Sequence, residues 1–459
     1  MGKQERRRTA TYSNIRYSLA ERQGGEGCHR TAGPLTLGGM AFPKDSMFRR
    51  FQLYGFLKNL RFFDPFLILF FREMGLSFLA IGALYSVREI CTNLLEIPTG
   101  VLADAFGRRK AMLASFTAYI VSFVLFYAFP AFWVYAIAMI LFALGETFRS
   151  GTHKAMILEH LRLRDLESQK VAYYGRTRAA SQFGSAIAAL VAGGLVLYAG
   201  NFRIVFLAST IPYLLGLLLF LTYPKALDGE RVSVDGTWRR KAWCALATTG
   251  SDFLRTLRRP DLLRGLFSSA GFDALFKATK DYLQPILQAQ ALALPLLLGL
   301  AADQRVAVVV GLLYFVIYLG TSFASSRAGH LHSRIRSAPR AANLTFLVGI
   351  GLLAAAGAAA WGGAPGIAIV GFLLLYAIQN LRRPILVGLL ADLLPHRTMA
   401  TGLSVETQLR TLLMAGMAPV LGLLADRWGV GVAVFGLAVV GLALGALIRV
   451  RDGSATVSP

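Results

Sequence analysis

Charged and hydrogen-bonding side chains recur in this chain inside stretches that are otherwise apolar. Asp273, Lys277 and Asp281 follow one another at intervals of four, as do Lys280 and Gln284. In a helix each of these sets shares a face. Glu146 lies three residues before Arg149, one helical turn away, and His153 and Lys154 follow. Lys58, Asn59, Arg61 and Asp64 cluster ahead of Pro65, Arg88 stands beside Glu89, and Gln379, Asn380, Arg382 and Arg383 form a further group. A charge at mid-bilayer costs ~2.5–3.5 kcal/mol on insertion scales, so each needs a partner or a water-filled cavity. Two kinds of chemistry suit such groups. The cations can hold a charged solute. A buried carboxylate can load and unload a proton near neutral pH. Glu89, Glu146, Asp64 and Glu406 are the candidates for that second role. Glu146 ranks first, because a proton or a solute can compete for its pairing with Arg149. A permanent Glu146–Arg149 bridge that only joins helices is the competing reading.

The elements that must position these groups are membrane-spanning helices. The chain has 459 residues, of which 55% are hydrophobic and only 16% charged. Its mean hydropathy is +0.54. A soluble protein of this size could not hide so much apolar surface. Crossing a bilayer takes roughly 20 apolar residues. Twelve runs meet that length, at 51–71, 77–103, 111–130, 132–158, 172–199, 202–222, 262–290, 305–326, 341–361, 366–394, 399–424 and 430–449. The formal charge of +23 does not imply nucleic acid, since the cations sit mostly in short connections between runs. Arg108, Arg109, Lys110, Arg162, Arg164, Lys170, Arg327, Arg334, Arg336, Arg340, Arg397, Arg449 and Arg451 fall on one side. Arg72, Arg203, Arg305 and Arg427 fall on the other. The asymmetry predicts both termini in the cytoplasm.

The expected division is a disordered basic tail over 1–46, a six-helix bundle over 47–222, a cytoplasmic linker over 223–261, a second bundle over 262–450 and a tail over 451–459. Met40 or Met47 is an alternative start, just ahead of the first run. The halves echo each other. Arg149 precedes Glu159 by ten residues, as Arg382 precedes Asp392, and Lys58-Asn-Leu-Arg61 before Pro65 parallels Lys277-Ala-Thr-Lys280 before Pro285. Such echoes suit an internal duplication.

Between the second and third runs stands Gly100-Val-Leu-Ala-Asp104-Ala-Phe-Gly107-Arg108-Arg109-Lys110. Glycines there permit close backbone approach, and Asp104 can face a helix N-terminus or a cation. This stretch resembles the signature loop of the major facilitator superfamily of secondary transporters, and the resemblance extends from about residue 48 to 451. It implies an all-α integral membrane protein of twelve transmembrane helices in two pseudo-symmetric six-helix bundles. It further implies that Gly100, Asp104, Gly107, Arg108 and Arg109 form a cytoplasmic gate. Ala105 departs from the family, which commonly has Arg or Lys there. In that fold the first, fourth, seventh and tenth helices line the central cavity, and the polar residues concentrate in these runs. Gly422-Leu-Leu-Ala-Asp426-Arg427-Trp-Gly429 looks like a shortened copy of the loop on the outer face, with a structural turn as its expected role.

The implied function is alternating-access transport of a small solute, coupled to protons, with no cofactor and no metal. Lys58, Arg61, Asp64, Arg149, Lys277, Lys280, Asp281, Gln284, Asn380 and Arg382 are the candidate solute-binding residues, and Glu146 and Glu89 the candidate proton carriers. Cations outnumber acids in this set, which favours an anionic or zwitterionic solute. A multidrug exporter of the same superfamily is the alternative. A membrane enzyme or receptor that kept the fold is a third reading, but no nucleophile, base or metal cluster gathers in one place. Partners are the solute, protons and lipid, not nucleic acid. A monomer in a bacterial inner membrane is expected.

Overall fold

The computed structural model describes residues 45–166, 170–228, 244, 260–335, 337–393 and 399–450. Apart from Asp45 and Ser46, the expected tails lie outside the described residues, as does most of the expected linker.

Helix α1 is broken into α1a (Ser46–Leu57) and α1b (Leu67–Glu73), joined through a 3-10 turn at Asp64–Phe66. Then follow α2 (Phe78–Phe106), α3 (Arg108–Ala128), α4a (Phe132–Arg149) and α4b (Thr152–Leu163), α5 (Lys170–Ala199) and α6 (Ile204–Leu221). The second half holds α7a (Pro260–Thr279), a 3-10 turn at Lys280–Tyr282, α7b (Leu283–Ala293), α8 (Ala302–Ile335), α9 (Ala338–Trp361), α10 (Pro365–Leu393), α11 (Met399–Trp428) and α12 (Val430–Leu447). These elements follow the twelve apolar runs in order. Among the described residues, nine stretches are long and apolar enough to cross a membrane unaided. The others are α12, which is slightly short, and the interrupted α1 and α7.

Proline explains two of the interruptions. Pro65 opens the 3-10 turn of α1, and Pro285 lies in the first turn of α7b. A ring nitrogen cannot donate to the preceding turn, but at a helix start that donor would be idle anyway. The break in α4 falls at Ser150-Gly151, where Gly151 has φ +30°. Between α2 and α3 the chain turns on Gly107, whose φ of +100° favours glycine.

The halves pack differently inside. The N-terminal half is filled with rings. Phe51, Phe66, Phe70, Tyr119, Phe123 and Tyr135 are each fully buried, and Phe70 meets Phe206 at 4.5 Å between centroids. The C-terminal half relies on small residues that bring backbones together. A Cβ on Gly357 of α9 would stand 2.4 Å from the Phe435 nitrogen of α12. Outward-facing Leu214, Leu215 and Leu218 of α6 are about half exposed, as suits a surface in contact with acyl chains.

The halves are joined at the end remote from Gly107. There α2 lies along α11, with Ser86 donating to the Ala415 carbonyl at 2.5 Å and Asn93 to the Gln408 carbonyl at 3.0 Å. Helices α5 and α8 cross where Gly193 meets Ala307 and Gly311, and Gln304 donates to the Leu197 carbonyl at 2.8 Å.

Candidate functional site

A cavity of about 450 Å³ lies between the halves, lined from α1, α2, α4, α5, α7, α8, α10 and α11. The interruptions of α1, α4 and α7 give it much of its polarity. Each break frees the chain to turn polar side chains inward, and its loose backbone groups must find partners inside the protein.

Of the residues singled out from the sequence, Arg61, Asp64, Glu89, Glu146, Lys277, Lys280, Asp281 and Asn380 line the cavity. Arg61 donates to Glu146 at 3.0 Å and to the Tyr213 hydroxyl at 3.2 Å. Glu146 is also held by Arg149 and by the Tyr119 hydroxyl. Arg88 pairs with Glu89 at 3.0 Å. Lys280 pairs with Asp281, which also accepts from the Tyr85 hydroxyl at 3.2 Å. Asp273 accepts from Gln379 at 2.6 Å and lies 3.8 Å from Arg410. The four-residue spacing of Asp273, Lys277 and Asp281 does not place them on one continuous helix face, because α7 breaks at Lys280.

Four of the candidates stand elsewhere. Arg149 is behind Glu146, against Tyr119. Lys58 lies in the turn after α1a with its ammonium 5.7 Å from the centre of the Tyr54 ring. Gln284 is fully buried and clasps the break of α1, accepting from the Ile68 amide at 2.7 Å and donating to the Asp64 carbonyl at 2.9 Å. Arg382 is 2% exposed inside the C-terminal half. It donates to the Ser268 hydroxyl and carbonyl, to Thr345 and to the Ala342 carbonyl, with Phe272 and Phe346 against its guanidinium.

The cavity wall also differs from the sequence expectation in its charge balance. It carries five cations, Arg61, Arg88, Lys277, Lys280 and Arg410, and five carboxylates, Asp64, Glu89, Glu96, Glu146 and Asp281. The excess of cations disappears because Lys58, Arg149 and Arg382 turn away, only Arg88 and Arg410 take their place, and Glu96 turns in. Three of these groups have no ion-pair partner among the described residues: Lys277 of α7a, and Asp64 and Glu96 of the N-terminal half. One oxygen of Glu96 is buried without a hydrogen bond. The apolar remainder of the wall includes Phe63, Phe142, Phe276, Tyr318 and Tyr376.

The loop after α2 contacts its own half. Arg108 lies 3.9 Å from Glu159 of α4b. The Arg109 amide, at the start of α3, donates to Asp228 at 2.8 Å, and the Arg109 guanidinium reaches the Tyr223 carbonyl at 3.4 Å. The carboxylate that caps α3 is therefore Asp228, just after α6, and a Cβ on Gly107 would touch it at 3.0 Å. Asp104 is exposed and makes no hydrogen bond among the described residues, and Gly100 faces open space. Glu96, Arg410 and Asp228 were missed as functional positions. The first two lie away from the polar clusters of the first, fourth, seventh and tenth runs, and Asp228 falls in the polar stretch between the halves.

Residues 59–407 match the Major Facilitator Superfamily, and the chain belongs to that family. It is an integral membrane transporter of a small solute, not an enzyme. A 90-residue stretch is 32% identical to the uncharacterized MFS-type transporter YxaM of Bacillus subtilis (strain 168), an alignment that spans 20% of this chain and 23% of that relative. Among solved structures, a variant of the nucleoside transporter NupG matches with a TM-score of 0.71 at 11% identity, over 88% of this chain and 99% of that one. A D-xylose-proton symporter matches with a TM-score of 0.63 at 15% identity, over 90% and 98%. The peptide transporter POT in complex with sulfate matches with a TM-score of 0.63 at 14% identity, over 88% and 94%. At these identities the likeness is one of fold.

Proposed function

We propose that this transporter moves a small zwitterionic solute by alternating access, with protons as the coupling ion. The observation that carries the reading is the set of unpaired charges on the cavity wall, with Lys277 on the C-terminal half and Asp64 and Glu96 on the other. An anionic group on the solute meets Lys277 and an ammonium meets a carboxylate, so the solute draws the two halves toward each other. Loading of such a site is selective because each buried charge is poorly satisfied without its counterpart. Glu146, held between Arg61 and Arg149, is the proton carrier in this reading, with Glu89 second.

The loop of Gly107, Arg108 and Arg109 is cytoplasmic by its charge, and with it both termini. The described structure is then the inward-facing state, since the halves are joined at the opposite end. The bacterial inner membrane is the proposed location, with six-helix bundles at 47–222 and 262–450 around a cytoplasmic linker and the protein acting as a monomer.

Efflux of lipophilic compounds is the second reading, favoured by the five aromatic rings on the wall and by acids as numerous as cations. A proteoliposome flux assay separates the two. A panel of zwitterions, organic anions and lipophilic cations is offered with and without an imposed pH gradient. Gradient-driven accumulation of zwitterions supports the proposal. Movement of lipophilic cations alone overturns it.

A further inference from the structure

The sequence suggested only a turn for Gly422-Leu-Leu-Ala-Asp426. The structure gives it a partner in the other half of the molecule. Asp426, at the end of α11, accepts from the Phe78 amide at 2.9 Å with one oxygen and from the Leu79 amide at 2.8 Å with the other. Both amides belong to the first turn of α2, whose donors have no partner within the helix. The Ser77 hydroxyl takes the third, from Ala80. A carboxylate in this place also meets the positive end of the helix dipole.

Below the carboxylate the two helices touch without side chains. A Cβ on Gly422 would stand 2.2 Å from the Phe78 carbonyl oxygen, and one on Gly82 would stand 2.4 Å from the Ala418 carbonyl oxygen. Any larger residue at either glycine must push α2 and α11 apart. Asp426 is exposed at the rim, so water can replace its bonds when the helices part, and the contact can be made and broken in each cycle. At the far end of α2 the other carboxylate, Asp104, is exposed and without a hydrogen bond among the described residues.

We propose that Asp426, seated over Gly422 and Gly82, is the latch that closes the end of the cavity remote from Gly107, and is thus a positioning residue of the transport cycle. It does not touch the solute. It sets which end of the cavity is open by capping a helix of the opposite half. The inference rests on the alternating-access reading, but its test needs no solute.

The test uses the full chain in lipid nanodiscs, with Cys28, Cys91 and Cys244 replaced by Ser. Spin labels are placed at Trp133 and Trp361, both exposed at the closed end, and in a second sample at Leu163 and Arg449 at the other end. Electron paramagnetic resonance then reads the distance distributions. Asp426→Ala and Gly422→Leu are expected to shift the 133–361 distribution to longer separations and the 163–449 distribution to shorter ones. Asp426→Glu, which still reaches the amides, is expected to restore the parent distributions. If Asp426→Ala leaves both distributions where they were, the latch is disproved. That variant removes no packing, so it remains decisive even if Gly422→Leu does not fold. A latch that fails here leaves the zwitterion proposal standing, since the flux assay judges that separately.

Discussion

Arg61, in the break of α1, donates to Glu146 of α4a at 3.0 Å, and Arg149 grips the same carboxylate from behind. Glu146 therefore faces two guanidiniums, of which only Arg61 lines the cavity. This arrangement makes the carboxylate competitive. In the proposed cycle a proton on Glu146 would free Arg61, and loss of that proton would draw Arg61 back.

From this the first prediction follows. Glu146→Gln keeps the shape of the protonated acid but cannot release a proton. The variant is expected to lose accumulation driven by a pH gradient while retaining solute exchange at equal concentrations on both sides. Paired uptake and counterflow assays in proteoliposomes check it. Wild-type accumulation by the variant would remove Glu146 from the coupling mechanism.

Lys277 lines the cavity and has no ion pair among the described residues. Replacing it by Gln removes the charged partner proposed for the solute and breaks no ion pair among the described residues. A hydrogen bond to a charged group contributes ~1.5–3 kcal/mol, so KM is expected to rise roughly tenfold to a hundredfold. Thermal stability in detergent should stay near that of the parent. Unchanged KM for the transported solute would place the anion site elsewhere.

Arg382 belongs to the interior of the C-terminal half, and its substitution should read out as stability. Arg382→Leu leaves the buried Ser268 and Thr345 hydroxyls without their donor, at a cost of ~1–3 kcal/mol for each. The expected result is a lowered unfolding temperature with an unaltered KM in the protein that survives. An unaltered unfolding temperature together with a raised KM would return Arg382 to the solute site.

Gly357 provides a test of the close helix contact in that half. Its Cβ would stand 2.4 Å from the Phe435 backbone nitrogen, an atom that cannot turn aside as a side-chain tip can. Gly357→Val is expected to cost at least the ~1–3 kcal/mol typical of overpacking, while Gly351→Val, with open space around it, should cost little. Unfolding temperatures of the two purified variants decide it.

The helices themselves were legible in the sequence because the bilayer fixes their length. The run at 77–103 became α2 at Phe78–Phe106, and the run at 430–449 became α12 at Val430–Leu447. The breaks were visible only as Pro65 and Pro285, and their effect on Asp281 was not. Helical spacing was assumed to continue through Lys280, where the chain in fact enters a 3-10 turn. Residue type also cannot say which way a helix is rotated. Gln284 and Arg382 have the chemistry of cavity residues, yet one clasps backbone and the other lies among Phe272, Phe346 and Ser268. The partner that settles each orientation is more than 35 residues away in the chain, beyond the reach of any local pattern. The same holds for Glu96 and Arg410, which face the cavity from α2 and α11.

Where α5 and α8 cross, backbone meets backbone: Gly193 stands against Gly311 and the Ala307 carbonyl, and Gly311 against the Ala189 carbonyl. Small residues at that spot leave little side chain to shear when one helix turns over the other. The pivot of the rocking motion is therefore expected to pass close to this bearing. Labels flanking Gly193 and Gly311 should hold a constant separation while those at both mouths of the transporter move.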